Sequence, residues 1–171
     1  MSVARILLAP VLVVLILSRS GLAGYLAAGL FVLAAATDGL DGYLARRYST
    51  TTRLGQWLDP LADKVLVAAP IVTLTVIDRF PVWAAAVIVA RELAVSLLRA
   101  WLGTHGRSMP ASWWGKWKTA AQMLVIVLYL LPDLGPTARG ARFGVLVVAV
   151  ALTVWSGLDY LIKAARTAPA R

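Results

Sequence analysis

The chain has no cysteine and one histidine, His105. The first absence excludes disulfides, thiolate metal centres and cysteine nucleophiles. The second excludes a zinc site built from several imidazoles, and His105, in a loop between glycines, is assigned no role. Acidic residues are also scarce, 8 Asp and Glu against 17 Lys and Arg. Linkers, low-complexity segments and internal repeats are missing, so residues 1–171 are expected to form a single domain. Apolar residues are abundant instead. They make up 60% of the sequence, more than a water-soluble domain carries even on a broader count that includes glycine. An all-α integral membrane protein is expected. The net charge of +9 does not indicate nucleic acid as a partner. The cations are scattered between apolar runs, as the positive-inside rule distributes them, and on a cytoplasmic face they favour anionic lipids and phosphorylated substrates.

The apolar runs predict six transmembrane helices, at about Val3–Leu17, Leu22–Arg46, Leu54–Ile77, Pro81–Leu102, Trp117–Leu131 and Phe143–Ala164. The first helix, in which Arg5 precedes an apolar run of fitting length, could also pass for a signal peptide, but no clear small-x-small site follows Leu17, and a retained helix keeps the count even. One set of connections holds Arg46, Arg47, Arg53, Arg107, Lys116, Lys118, Lys163, Arg166 and Arg171; the other holds Arg19, Arg79, Arg139 and Arg142. The richer set faces the cytoplasm, so both termini are expected inside a multi-pass cell-membrane protein. Trp113, Trp114 and Trp117 fit an interfacial belt.

Half of the acidic residues, Asp38, Asp41, Asp59 and Asp63, flank one connection between apolar runs. A carboxylate at the centre of a membrane helix costs roughly 2.5–3.5 kcal/mol on insertion scales, so these four need the water interface, a compensating cation, or both. If the second and third helices form an antiparallel hairpin turning near Thr50, equal sequence steps from the turn give equal depth. Asp41 and Asp59 then match, as do Asp38 and Asp63. Spacings of three and four put each pair on one helix face. Four neighbouring carboxylates cannot all ionise without counter-charge. Two divalent cations would balance them, and an oxygen-only donor set suits Mg²⁺ or Mn²⁺. The alternative is a charged helix-end network with Arg46, Arg47 and Arg53. Gly42, Ala45 and Gly55 near the acids leave space for a ligand or another backbone.

The pattern Asp38-x2-Asp41-Gly42-x2-Ala45-Arg46-x8-Gly55-x3-Asp59-x3-Asp63 resembles the signature of the CDP-alcohol phosphatidyltransferases. Arg5-x2-Leu8-x-Pro10 looks like that family's first helix. Ala90–Leu93 with Arg99, and Gly115–Gln122, look like the branch that makes phosphatidylglycerophosphate. The resemblance implies a six-helix membrane enzyme, usually a homodimer, with its site open to the cytoplasm. It would transfer a phosphatidyl group from CDP-diacylglycerol to an alcohol and release CMP. It implies that Asp38, Asp41 and Asp59 are metal ligands, and that Asp63 is a ligand and the general base. Gly42, Arg46 and Thr52 would contact the CDP moiety, where Ala45 and Gly55 leave room. One departure is at the start. The family commonly has an asparagine and a threonine before the first-helix arginine; Ser2 stands at the threonine position, and no asparagine precedes it. That nucleotide contact is expected to be replaced or supplied from upstream.

The remaining basic residues suggest a small phosphorylated acceptor, glycerol-3-phosphate. Arg91, Lys116 and Lys118, helped by Arg47 or Arg99, are expected to bind its phosphate, since arginine offers two parallel donors and lysine a point charge. The plainer readings are an internal ion pair for Arg91, which adjoins Glu92, and topology-setting charge for Lys116 and Lys118. Within the family, phosphatidylglycerol (giving cardiolipin) or an inositol phosphate are alternative acceptors. Outside it, the rivals are an intramembrane prenyltransferase, which the Gly-x2-Ala-Arg-x8-Gly interval disfavours, and a cation transporter, which would more usually place its acids near the bilayer midplane within inverted repeats.

Overall fold

The computed structural model describes residues 2–48, 53–104, 113–132 and 135–166. Side chains are described at these positions except 2–4, 38–48, 53–61, 63, 165 and 166. The described residues form six helices: α1 (Ser2–Leu17), α2 (Gly21–Tyr48), α3 (Arg53–Val76), α4 (Val82–Thr104), α5 (Trp113–Leu130) and α6 (Pro136–Arg166). Their order matches the apolar runs. The bounds shift most in α5, which begins four residues before the expected Trp117, and in α6, which begins seven before Phe143. Both extensions are polar or interfacial turns that an apolar run does not mark. In a medium without water each backbone N–H and C=O must be satisfied within the chain, and long helices do this. Hydroxyls follow the same rule by bonding back to their own helix: Thr73 donates to the Ala69 carbonyl (2.7 Å) and Thr75 to that of Ile71 (2.7 Å).

The termini of α1 and α3 show how tightly the chain reverses. Arg19 and Asp78 adopt left-handed φ values of 53° and 60°. Around Asp78 the amide of Arg79 reaches Leu74 O at 2.9 Å and that of Asp78 reaches Thr75 O at 3.1 Å, the paired bonds of a Schellman ending.

Side-chain contacts fix the up-and-down order. One end of the bundle joins the start of α2 to the far end of α5: a Cβ on Gly24 would lie 2.7 Å from Leu130 O. There too Phe80, before α4, packs edge-on against Tyr129 (centroids 4.8 Å apart), and Arg142 bonds to Leu131 O at 3.3 Å. The other end joins α4, α5 and α6 through Arg91, Lys118 and Ser156. Because α2 starts and α3 finishes at the first end, the later part of α2 and the beginning of α3 belong to the second. α1 packs most extensively on α3 and also contacts α2, whose other main neighbour is α5; α2 and α3 share no extensive contact with each other among the described residues. The two helices are antiparallel, as expected, but α1 lies against both.

The outer surface is apolar on every helix. Leu7, Leu22, Val76, Leu97, Trp113 and Phe143, one from each, are all more than half exposed. Such a surface suits lipid rather than water. Among the described residues one stretch, Pro136–Ala164, is both long and apolar enough to cross a bilayer by itself; Arg5–Leu17, Gly21–Thr37 and Lys64–Val76 are shorter.

Gly24 lets α2 and α5 approach closely, whereas Gly29 on the same helix has open space. Gly24→Ala is expected to destabilise by about 1–3 kcal/mol and Gly29→Ala to be neutral or stabilising by up to about 1 kcal/mol. Thermal unfolding of both variants in detergent checks the contrast.

Candidate active site

The inward stripe of α6 consists of Leu146, Ala149, Thr153, Ser156 and Tyr160, all buried. The spacing of three and four keeps them on one face. Its first members are apolar and its last three polar. α5 mirrors this in the opposite direction: Lys118 and Gln122 are buried near its start, Val125, Ile126 and Leu130 toward its end. The two stripes meet as antiparallel partners. Gln122 Nε2 donates to Thr153 Oγ1 at 3.0 Å, and the Thr153 hydroxyl donates in turn to Ala149 O at 2.7 Å. The bundle interior is therefore apolar at one end and polar at the end to which the aspartates belong.

Glu92 on α4 organises the polar half. Arg91 NH1 lies 3.3 Å from its Oε1, and Lys118 Nζ pairs with the same oxygen. Arg91 NH2 donates to Ser156 Oγ at 3.0 Å, and Ser156 donates onward to Thr153 O at 3.0 Å. The remaining donor of Arg91, Nε, is buried without a hydrogen-bond partner. Gly157 makes this fit possible, since a Cβ there would stand 3.3 Å from Arg91 Cγ and 3.7 Å from Nε. Two turns along α4, Arg99 donates to the Tyr160 hydroxyl and stacks over its ring, 4.7 Å from the centroid. Lys116 stands apart. It is exposed, 5.7 Å above the ring of Trp113, which itself packs against Trp117, while Trp114 packs against Trp155. These tryptophans form an aromatic edge at the polar end.

The aspartate motif falls on α2 and α3. Asp38, Asp41, Gly42, Ala45, Arg46 and Arg47 belong to the later part of α2, and Gly55, Asp59 and Asp63 to the beginning of α3. Their side chains, and Thr52 altogether, lie outside the described residues. Ala62 and Leu66, on the same helix, are both buried. Lys64, which follows Asp63, lines a small cleft between α3 and α4 together with Ile88 and Glu92. The middle of α3 and Glu92 thus border one small space. Among the described residues no group of three or more acids or imidazoles could hold a metal ion.

The sequence profile of the CDP-alcohol phosphatidyltransferases matches residues 1–155. The chain belongs to the CDP-alcohol phosphatidyltransferase family. As a member it is membrane-associated, in keeping with its apolar exterior. Among curated relatives it is 40% identical over 166 residues to a CDP-diacylglycerol–glycerol-3-phosphate 3-phosphatidyltransferase of Salmonella choleraesuis, covering 94% of this chain and 90% of that one. It is 44% identical over 127 residues to a protein of the same name from Sodalis glossinidius, covering 70% and 68%. It is 39% identical over 122 residues to a probable phosphatidylglycerophosphate synthase of Mycobacterium tuberculosis, covering 71% of this chain but 57% of the relative's length.

Sequence reasoning singled out Arg91, Lys118 and Arg99 but not the residues of α6 that hold the two arginines. A signal was present: Thr153, Ser156 and Tyr160 are polar groups at helical spacing in an otherwise apolar helix. Glu92 was seen as a neighbour of Arg91 and not as the group shared with Lys118, 26 residues away. With side-chain exposures of 12% for Arg91 and 6% for Lys118, removing their common carboxylate leaves two buried cations uncompensated. Glu92→Gln is expected to destabilise by about 3 kcal/mol, the lower end for a broken buried pair because Glu92 is partly exposed. Lys118→Met, which leaves Arg91 paired, should cost less. Denaturant unfolding in micelles measures both, and equal stability of Glu92→Gln and the parent chain would refute the shared-carboxylate reading.

Proposed function

We propose that this family member transfers the phosphatidyl group of CDP-diacylglycerol to glycerol-3-phosphate, giving phosphatidylglycerophosphate and CMP. The observation that carries the choice of acceptor is the buried, unpartnered Nε of Arg91 at the polar end of the bundle. A buried donor left without an acceptor costs about 1–3 kcal/mol. A phosphate oxygen would satisfy it, with Lys118 close by through Glu92, and a phosphorylated small alcohol brings that oxygen. Phosphatidylglycerol brings a phosphate only with two acyl chains, and the polar stripe offers them no apolar bed. An inositol phosphate shares the phosphate, and product identification separates it. The names of the Salmonella and Sodalis relatives support the same acceptor.

In this reading the chain crosses the bilayer six times with both termini on the cytoplasmic side, residues 1–171 act as one domain, and two copies associate. The donor set of the motif fits hard cations, since it offers carboxylate oxygens on two helices that reach the same end and no sulfur. Asp38, Asp41, Asp59 and Asp63 would hold two such ions, Mg²⁺ or Mn²⁺. Bound there, they would stabilise charge on the donor pyrophosphate and on departing CMP. Gly42, Arg46 and Thr52 hold the CDP moiety where Ala45 and Gly55 leave space. Arg91 and Lys118, with Arg99, Arg47 and Lys116, orient the acceptor phosphate. Asp63 takes the proton of the acceptor hydroxyl. The oxygen–phosphorus bond to the acceptor forms as that to CMP breaks.

Labelled CDP-diacylglycerol supplied with each acceptor in turn should yield phosphatidylglycerophosphate from glycerol-3-phosphate alone; cardiolipin or an inositol lipid as the main product would overturn the assignment. Asp63→Asn should lower kcat by about a hundredfold or more while Mn²⁺ still binds, and excess EDTA should abolish turnover until Mg²⁺ or Mn²⁺ is restored. Arg91→Ala, and Gly157→Ala by crowding Arg91, should raise KM for glycerol-3-phosphate at least about tenfold and leave that for CDP-diacylglycerol little changed. An equal rise in both would make Arg91 a structural residue.

A further inference from the structure

Ser156 is fully buried where α6 meets α4. Its proton is committed within α6, since Oγ donates to Thr153 O at 3.0 Å. The lone pairs of Oγ are left to accept, and Arg91, a group with donors only, supplies the bond from NH2 at 3.0 Å. The other terminal nitrogen of the guanidinium, NH1, lies 3.3 Å from Glu92 Oε1, an oxygen also taken by Lys118. The guanidinium is planar and carries its donors in a fixed fork, so holding both terminal nitrogens sets the direction of Nε–H. Glu92 by itself is the weaker hold, because its contact with Arg91 is the longer of the two and is shared. Gly157, the next residue of α6, completes the wall: a Cβ there would stand 3.3 Å from Arg91 Cγ and 3.7 Å from Nε. Two consecutive residues of α6 thus control one side chain of α4, the first by an acceptor and the second by the lack of a side chain. The Nε they leave over is buried without a hydrogen-bond partner.

We propose that Ser156 is a positioning residue for the acceptor, holding the Arg91 fork so that Nε–H is presented to the acceptor phosphate. This role rests on the acceptor contact of Arg91 proposed above; Ser156 acts through Arg91 and touches no substrate itself. A bond that orders a charged side chain before the ligand arrives spares the ligand that ordering cost. Loss of the hydroxyl frees the fork to turn and takes the acceptor away from NH2. The acceptor then binds more weakly, whereas the donor lipid, held by other residues, does not.

The test uses the full chain in detergent micelles, with turnover measured against each substrate in turn. The variants are Ser156→Ala, Ser156→Thr, Thr153→Val, Arg91→Ala, and Ser156→Ala combined with Arg91→Ala; monodisperse elution reports the fold. Ser156→Ala should raise KM for glycerol-3-phosphate about fivefold and leave kcat and KM for CDP-diacylglycerol little changed. Ser156→Thr, which keeps the hydroxyl, should stay near the parent values. Thr153→Val removes a buried hydroxyl one turn away, whose bonds go to Gln122 and Ala149 rather than to Arg91, and should leave KM unchanged. The double variant should match Arg91→Ala alone, since Ser156 has nothing left to aim. An unchanged KM in Ser156→Ala, an equal rise in Thr153→Val, or a further rise in the double variant would overturn the proposal. Should Ser156→Ala not fold, Ser156→Cys, similar in size and with a weakly accepting sulfur, takes its place with the same expectation. If Arg91→Ala raises KM for glycerol-3-phosphate and Ser156→Ala does not, the acceptor reading stands and the role of Ser156 falls; if neither raises it, both fall.

Discussion

One carboxylate keeps two cations inside an apolar bundle. Glu92 accepts from Arg91 on its own helix and from Lys118 on α5, and Arg91 in turn reaches Ser156 on α6. Without that carboxylate, neither cation has a described counter-charge at the same depth. A charge buried in low dielectric is costly unless paired and hydrogen-bonded. Three helices therefore depend on one group for their register at the polar end. The same pairing fixes the direction of Arg91, so that its Nε–H is left over. That leftover donor gives the acceptor reading its physical content.

The fold was largely legible in the sequence because the lipid-facing surface and the core are both apolar and produce long runs. Six runs gave six helices, with bounds wrong mainly where a helix continues into polar turns, at Trp113 and Pro136. Alternation of direction was legible for the same reason. What could not be read was lateral neighbourhood. Counting residues from Thr50 gives the depth of the aspartates on α2 and α3, and depth is all that a helical rise can give. That α1 packs against α3 most extensively, and that α2 turns to α5, follows from close approaches such as Gly24 on Leu130 O. Small residues permit such approaches without naming the partner.

The site divides in the same way. The aspartate motif is legible because its chemistry is local to two helices and its spacing is unusual. The Glu92 cluster is not, because it joins positions 91, 118 and 156 across three helices, and periodicity carries no information about which polar face meets which. Ser156 and Tyr160 acquire their role only through α4, whose Arg91 and Arg99 reach them. Lys116 and Lys118 show the same limit at shorter range. Two residues apart, they point to opposite sides of α5, one exposed against Trp113 and the other buried on Glu92. The sequence offered both as equals.

Basic side chains stand at both ends of the bundle, yet the proposed chemistry belongs to one. The difference lies in the acids. Among the described residues at the α3–α4 end, three arginines and one aspartate line a cleft, and the proposed chemistry uses none of them. At the other end four aspartates of the motif, carried on α2 and α3, accompany Glu92 and its two cations. In the proposed reaction, negative groups there would take up a proton and collect metal charge while Arg91 and Lys118 hold the acceptor. The apolar stretch between, from Ile88 to Leu130 and Leu146, separates the two populations and screens neither, because low dielectric prolongs rather than damps the field of a charge.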